Sequence, residues 1–173
     1  MNRLSLRSKQ KGLGMPEVMV AMMLLGIAIV GFSALQVKAI SATGESAERT
    51  QAAAIASDLA ERIRLNAGGL ATYQAPWNPT ASANNACEVA NCTPAQMARY
   101  DIRQVTDLAA ATLPNGRVAV QTCPTRVNMC IYVAWNKTNP TVGAAAPNCQ
   151  APTGLYVQPT APESTDCVFL ETK

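Results

Sequence analysis

The segment that most constrains this chain is an uncharged apolar run of twenty residues near its start, VMVAMMLLGIAIVGFSALQV from Val18 to Val37. At about 1.5 Å per residue, a helix of this length covers about 30 Å, the thickness of the hydrocarbon core of a bilayer. Basic residues precede the run, and the first charge after it is Lys38. The positive-inside tendency therefore predicts a single-pass helix with residues 1–12 in the cytoplasm and the rest exported.

A small residue and a single acid stand just before the apolar run. A secretory signal is cut beyond its apolar stretch, whereas Gly12, the small residue suited to mark a cut, comes before it. Cutting there would keep the helix in the mature protein; a plain signal anchor with an incidental glycine is the alternative. Glu17 lies at the edge of the run, where a carboxylate in hydrocarbon costs roughly 2.5 to 3.5 kcal/mol. We therefore expect a partner for its charge.

This start resembles that of type IV prepilins, which have a short basic leader ending in glycine and a glutamate at the fifth position after the cut. In this sequence the leader is residues 1–12, the cut falls between Gly12 and Leu13, and the glutamate is Glu17. The resemblance implies a prepilin peptidase, methylation of the new amino terminus at Leu13, and attraction between Glu17 and the terminal amine of a neighbouring subunit. A glutamate at the headgroup level of an anchor helix is the alternative for Glu17.

Two residues depart from the usual start of that family. Leu13 stands where larger subunits usually begin with phenylalanine, and Pro16 precedes the glutamate. Leucine is also an apolar first residue, and proline is tolerated in a first helical turn because its missing N–H would have no partner there. Both departures are therefore compatible with a helical, apolar start.

Basic charge is concentrated in the leader. The whole chain has 14 basic and 11 acidic residues, a formal net charge of +3, but four of the basic residues precede Leu13. The part that remains after the cut has ten basic and eleven acidic residues, a net charge of −1. Because this part has no basic stripe, we expect no direct nucleic-acid site.

All six cysteines lie in the second half of the chain. An even number in a region predicted to be exported favours disulfides formed in an oxidising compartment. Six cysteines allow many pairings; nearness along the chain favours Cys87 with Cys92, Cys123 with Cys130, and Cys149 with Cys167. Zinc is the poorer alternative, because the chain has no histidine and the cysteine spacings are irregular.

Catalytic patterns are missing from the sequence. Without histidine, the chain lacks the usual general base and a common metal ligand. It has no glycine-rich phosphate loop and no nucleophile elbow. We interpret the acidic pairs, Asp101 with Asp107 and Glu163 with Asp166, as solvated surface charges. We therefore expect no enzyme, no cofactor and no metal, with a membrane-anchored periplasmic enzyme as the disfavoured alternative.

The helical pattern continues beyond the apolar run. Apolar residues recur at spacings of three and four, which predicts that the helix continues to about Asn66. Gly68 and Gly69 are expected to end it, because glycine most readily takes the left-handed conformation after a helix. The apolar positions are Ala52, Ile55, Ala56, Leu59 and Ile63.

The remainder predicts one more helix and a small set of strands. Residues 70–92 are interpreted as an irregular loop, after which Thr93 caps and Pro94 opens a helix that ends near Leu113. Two runs rich in β-branched and aromatic residues predict a hairpin closed by the Cys123–Cys130 pair, and two shorter strands follow an alanine- and proline-rich loop. The four predicted strands are Arg117–Thr122, Cys130–Trp135, Leu155–Gln158 and Cys167–Glu171.

These elements predict an α+β fold of the type IV pilin kind. A long amino-terminal helix, with its first half in the membrane, packs on a small antiparallel sheet with disulfide-bonded loops. The expected order is a removed leader at 1–12, a hydrophobic transmembrane and filament-core helix at 13–36, its amphipathic continuation at 37–67, and a periplasmic globular head at 68–173.

Three stretches of the second half resemble one branch of the family, the minor pilin known as the type IV pilus modification protein PilV. They are CTPAQMARYD at 92–101, LPNGRVAV at 113–120 and IYVAWN at 131–136. Where that branch often has tryptophan in the second helix, this chain has residues 102–104, Ile-Arg-Gln. The resemblance implies a minor pilin that contributes to pilus assembly or initiation, and hence to adhesion, twitching motility or DNA uptake.

Two other functions stay open. A minor pseudopilin of a type II secretion system shares the same start and helix, although we expect fewer cysteines in it. An adhesive module would use Tyr73, Trp77 or the loop 136–153, but the two aromatic residues are also expected as lids over the helix.

The pilin interpretation implies particular partners and a particular location. The partners are other major and minor pilins, the prepilin peptidase, the inner-membrane assembly machinery, and inner-membrane lipid before assembly. The protein is then first in the inner membrane, with its amino terminus cytoplasmic and its head periplasmic, and later in the pilus filament.

Overall fold

The computed structural model describes residue 12 and residues 14–74, 85–157 and 165–172. The chain divides into two compact units, Met1–Gly44 and Glu45–Lys173, named the first unit and the second unit below. Its long apolar helix, small antiparallel sheet and disulfides confirm the predicted α+β pilin-like fold. The helices are α1 (Met15–Leu65), α2 (Leu70–Tyr73) and α3 (Pro94–Thr112), and the strands are β1 (Arg117–Thr122), β2 (Met129–Ala134), β3 (Asn139–Val142), β4 (Asn148–Gln150) and β5 (Cys167–Thr172).

The helix α1 has 51 residues and is the longest element. Every residue from Met15 to Ala47 is exposed, and burial begins only in the second unit. The end at Leu65 agrees with the predicted end near Asn66. The periodic apolar positions in the sequence therefore correctly predicted which side of α1 packs. The buried positions are Ala52, Ile55, Ala56, Leu59, Ala60 and Ile63.

The two glycines after α1 do not act as predicted. They belong to a 3₁₀ turn, Ala67–Gly69, and Gly69 has φ −93°, so the left-handed helix end is wrong. A Cβ on Gly69 would lie 2.7 Å from the Pro94 carbonyl oxygen and 3.0 Å from the Ala98 Cβ. Glycine is therefore needed because the start of α3 comes close to the backbone at this point.

The region between α1 and α3 has more structure than predicted. The interpretation of residues 70–92 as an irregular loop is wrong for its first residues, which form α2, and for the 3₁₀ segment Asn85–Glu88. The start of α3 is as predicted, because Thr93 and Gln96 form a reciprocal capping box and Pro94 is the first helical residue.

The main sheet has three antiparallel strands in the order β1-β2-β5. Strands β1 and β2 form the predicted hairpin, with β2 beginning one residue earlier than expected. Because side chains alternate along a strand, one face of the sheet joins residues of α1 and α3 in the main core. The buried strand residues in this core are Val118, Val120, Met129, Ile131 and Val133.

The second pair of strands lies where the sequence predicted a loop. Strands β3 and β4 are short, pair in parallel, and contain few β-branched residues, so their sequences carry little strand signal. The strand predicted at Leu155–Gln158 is wrong, because Tyr156 makes only an isolated bridge with Gln150, and Gln158 lies outside the described residues.

All six cysteines are joined in three disulfides between the nearest pairs along the chain. Cys123–Cys130 closes the β1–β2 turn and Cys149–Cys167 joins β4 to β5; all four residues are buried. Cys87–Cys92 closes a small ring before α3, and both of its residues are half-buried. Two disulfides therefore brace the sheet, and one lies closer to solvent.

Candidate processing and assembly site

The predicted cleavage position lies just before α1. Gly12 is exposed and outside the helix, while Leu13 and residues 1–11 lie outside the described residues. The helix begins at Met15. Gly12 is therefore on non-helical backbone three residues before the first helical residue.

The first turn of α1 is organised by Gly14. Its carbonyl oxygen accepts hydrogen bonds from the N–H groups of Glu17 and Val18, at N···O distances of 3.0 and 3.4 Å. Pro16 is the second residue of the helix, where a missing N–H removes no intrahelical bond. The sequence start thus forms a helix in spite of the proline.

Glu17 is an exposed acid in the first turn of α1. The positive end of the helix dipole favours a carboxylate at this place. Among the described residues, the ion pairs do not include Glu17. The described part of the chain therefore supplies no ion-pair partner to this carboxylate. Beside it lies a shallow depression otherwise lined by apolar or small residues, Val18, Ala21, Met22 and Leu25.

The first part of α1 presents a continuous apolar surface. By length and composition this helix is long and apolar enough to cross a membrane, and its most apolar 18-residue stretch has a mean hydropathy of 2.5 and is 0% buried. Large side chains such as Met19 and Leu35 are 72% and 70% exposed. Soluble monomers rarely expose apolar patches of this extent, so the surface requires lipid or protein to cover it.

A buried polar cluster joins α1 to α3 inside the second unit. Asp101 is 6% exposed, and its carboxylate accepts hydrogen bonds from the Arg62 guanidinium, at 2.9 Å, and from the Tyr73 hydroxyl. Arg62 also donates to Asp58 at 2.9 Å. Burial, followed by the hydrogen bond with Asp101, raises the pKa of the Tyr73 hydroxyl above its ordinary value. Each charge in the cluster faces an opposite charge, as burial requires.

The sequence interpretation of Asp101 as a solvated surface charge is wrong. Its position, three residues after Ala98 and four before Val105, places it on the inner face of α3, which was the available signal. The interpretation is confirmed for Asp107, whose side chain is 72% exposed and pairs with Arg103.

The second predicted acidic pair is only partly described. Asp166 is half-buried and accepts a hydrogen bond from the Asn136 amide at 3.0 Å. Glu163 lies outside the described residues.

Of the two aromatic residues considered for receptor binding, the structure describes one. Tyr73 is 0% exposed, so its role is a lid in the core and not a contact surface. Trp77 lies outside the described residues. An exposed aromatic that the sequence reasoning missed is Tyr156, which is 40% exposed and packs its ring 4.6 Å from that of Phe169.

Comparisons with known proteins agree with this geometry. Residues 7–33 match the prokaryotic N-terminal methylation motif, and the adjoining residues 34–103 match the family described as type IV pilin Tt1218. No curated protein and no solved structure matches the chain. The methylation motif covers the candidate cleavage position and Glu17, and the second match covers most of α1 and the start of α3. Together with the fold, the two matches support a type IV pilin.

Proposed function

We propose that this chain is a minor pilin subunit of a type IV pilus. In this function a prepilin peptidase removes the leader, residues 1–12, and Leu13 becomes the methylated amino terminus. The mature chain then enters the filament through the helix that begins in segment 13–36. The pilin family is structural, so the chain acts by packing and by one charge pair, with no reaction, cofactor or metal of its own.

The observation that carries this proposal is the uncovered surface of α1. Every residue from Met15 to Ala47 is exposed, and the large side chains among them are almost all apolar. In the membrane, lipid covers this surface; in the filament, the same surface of neighbouring pilins covers it. A helix with one acid in its first turn and no covering of its own suits both environments.

Glu17 supplies the charge pair. Once the leader is removed, the amine of Leu13 on a neighbouring subunit is a cation of the right sign for the Glu17 carboxylate. In the low dielectric of a helical filament core the attraction is stronger than in water, whereas leaving either charge unpaired there is expensive. The pair would therefore set the axial register of each subunit.

The charges and the disulfides support the proposed location. The leader contains only basic charges, which favours a cytoplasmic amino terminus in the inner membrane before assembly. The three disulfides favour a periplasmic head at 68–173, joined to the membrane helix by the continuation at 37–67. The partners are then major and minor pilins and the inner-membrane assembly machinery.

The minor-pilin assignment is supported by resemblance to the PilV branch at 92–101, 113–120 and 131–136. On this assignment the chain contributes to assembly or initiation, and through the pilus to adhesion, twitching motility or DNA uptake. A minor pseudopilin of a type II secretion system is the second candidate, since the helix and its methylation motif would serve both machines. The three disulfides favour the pilus.

The test is to express the full chain in a piliated cell with and without its prepilin peptidase. We expect a peptidase-dependent amino terminus at methylated Leu13, and a non-reduced mass six hydrogen atoms below that of the thiol form, since all six cysteines are paired. We also expect the chain in sheared filaments at a small fraction of the main subunit. A terminus at Met1 or beyond Val37 would overturn the pilin assignment. An abundant filament subunit would mean a major pilin, and absence from pili with presence in secretion pseudopili would favour the second candidate.

The charge pair has its own matched test on the same helix. Glu17→Gln keeps the side-chain shape and removes the charge, and Glu45→Gln does the same at an exposed position of the same helix, where the carboxylate pairs with Arg49. We expect normal cleavage for both, with filament incorporation reduced about tenfold for Glu17→Gln alone, the effect of about 1.4 kcal/mol. Equal incorporation of the two variants would remove the proposed role of Glu17.

A further inference from the structure

Pro16 is the residue at the start of α1 that the proposed function does not explain. In a helix continued toward the amino terminus, residue 16 would donate its N–H to the carbonyl of residue 12, four positions earlier. Proline has no N–H, and its ring collides with that carbonyl in helical geometry. That carbonyl is the carbonyl of Gly12, on the acyl side of the proposed cut.

The observed start of α1 agrees with a block to helix extension at Pro16. Among the described residues, the hydrogen bonds of α1 begin at the Gly14 carbonyl, and Gly12 is exposed and non-helical. Glycine is itself a weak helix former, so Gly14 also disfavours extension of α1 toward Gly12. Within the described part of the chain, a Cβ at this position would meet the Pro16 ring alone, at the ordinary contact distance of 3.5 Å, so lack of space there does not explain the glycine.

Cleavage needs a block to helix extension, because the edge of the membrane favours extending α1 toward the amino terminus. Near hydrocarbon, backbone groups without hydrogen bonds are expensive, and continuing the helix is the simplest way to satisfy them. A helical Gly12 carbonyl would be bonded within the chain and covered by the following turn. Hydrolysis requires the opposite: water adds to the Gly12 carbonyl carbon, the bond to the Leu13 nitrogen breaks, and that nitrogen leaves as the new amine.

We propose that Pro16, assisted by Gly14, is a positioning residue for leader cleavage, because it holds the scissile peptide outside α1. This inference rests on the proposed function, since it requires a cut after Gly12. On this inference, the unusual proline serves removal of the leader.

The experiment uses the full-length precursor in lipid vesicles with purified prepilin peptidase, and compares initial cleavage rates. Pro16→Ala restores the N–H in a strong helix former, and Pro16→Gly restores it in a weak one. We expect Pro16→Ala to be cut about two- to sixfold more slowly, because only chains in which the added helical turn is unwound can be cut. Propagation constants of about 1 to 1.6 per residue over that turn imply this range. The double variant with Gly14→Ala should be slower still. Pro16→Gly should stay near the wild-type rate.

Hydrogen exchange and a control variant separate the outcomes. Amide exchange around Gly12 should slow in Pro16→Ala, and Met19→Ala, an exposed change one turn further along, should alter neither exchange nor rate. An unchanged rate for Pro16→Ala overturns the inference, as does Pro16→Gly being cut as slowly as Pro16→Ala, which would mean that the peptidase reads the proline directly. A wild-type chain that is not cut after Gly12 defeats the proposed function itself.

Discussion

Leu35 and Leu59 belong to the same helix, yet one is 70% exposed and the other is fully buried. The stretch of α1 in the first unit is exposed throughout, whereas its stretch in the second unit contributes six residues to a core shared with α3 and the sheet. Helices draw most of their stability from packing, so the second stretch is stabilised by its own chain and the first by what surrounds it. Two stretches of one helix therefore have different sources of stability.

The largest effect is expected from truncating the buried leucine. Leu59→Ala should lower the free energy of unfolding of the second unit by about 2 to 5 kcal/mol, because it leaves a cavity in the core. Leu35→Ala makes the same chemical change on exposed surface and should leave that free energy nearly unchanged. Denaturant unfolding in mild detergent, followed by tryptophan fluorescence, measures both. Equal losses would show that both stretches depend on the same core.

The next effect concerns the buried carboxylate between α1 and α3. Asp101→Asn removes the charge that faces Arg62 and should cost about 1 to 3 kcal/mol of unfolding free energy. Asp107→Asn is the matched control on the same helix, where the ion pair is mostly exposed, and should change stability by less than about 0.5 kcal/mol. Equal small losses in thermal unfolding would show that Asp101 is solvated in solution.

A pH test of the same cluster uses Tyr73, whose pKa is raised by burial and then by its bond to Asp101. Above about pH 10 the unfolded chain loses this proton while the folded chain keeps it, so stability is present below that pH and falls as pH rises. Tyr73→Phe should reduce the slope between about pH 10 and 11.5 in unfolding experiments. Tyr132, whose pKa burial raises to about 12, accounts for a remaining slope. A slope unchanged in Tyr73→Phe would contradict the raised pKa.

The sequence predicted the elements whose signal is local and periodic. The face of α1 follows from spacings of three and four, the start of α3 from Thr93 and Pro94, and the β1–β2 hairpin from two β-branched runs. The apolar run and Glu17 likewise predict the candidate site from sequence alone, because membrane insertion depends on composition.

Two features that the sequence did not predict depend on contacts between distant segments, and a third lacks a local signal. Gly69 is a glycine because α3 approaches it, not because of its own dihedral angles. Asp101 is buried because Arg62 and Tyr73, 39 and 28 residues away, supply its partners. Strands β3 and β4 pair in parallel with each other and have little intrinsic strand preference. Gly69 and Asp101 thus depend on partners far away along the chain, whereas β3 and β4 lie close together in sequence and give only a weak local strand signal.

The smallest effect is expected at the Cys87–Cys92 ring, whose disulfide is the most exposed of the three. Thiol exchange requires access to a sulfur atom, and these two cysteines are half-buried while the other four are 0 to 7% exposed. Limited treatment with a dithiol reductant, followed by alkylation and peptide mass mapping, should label Cys87 and Cys92 first.

The ring also carries Glu88, which accepts a hydrogen bond from the Tyr100 hydroxyl at 3.0 Å, so opening the ring should loosen the contact with α3 and leave the sheet intact. A double Cys87→Ser and Cys92→Ser variant should keep the far-ultraviolet circular dichroism of the wild type. Earlier labelling of Cys123 or Cys149 would mean that burial in the static fold does not govern access, and that the second unit opens through its sheet.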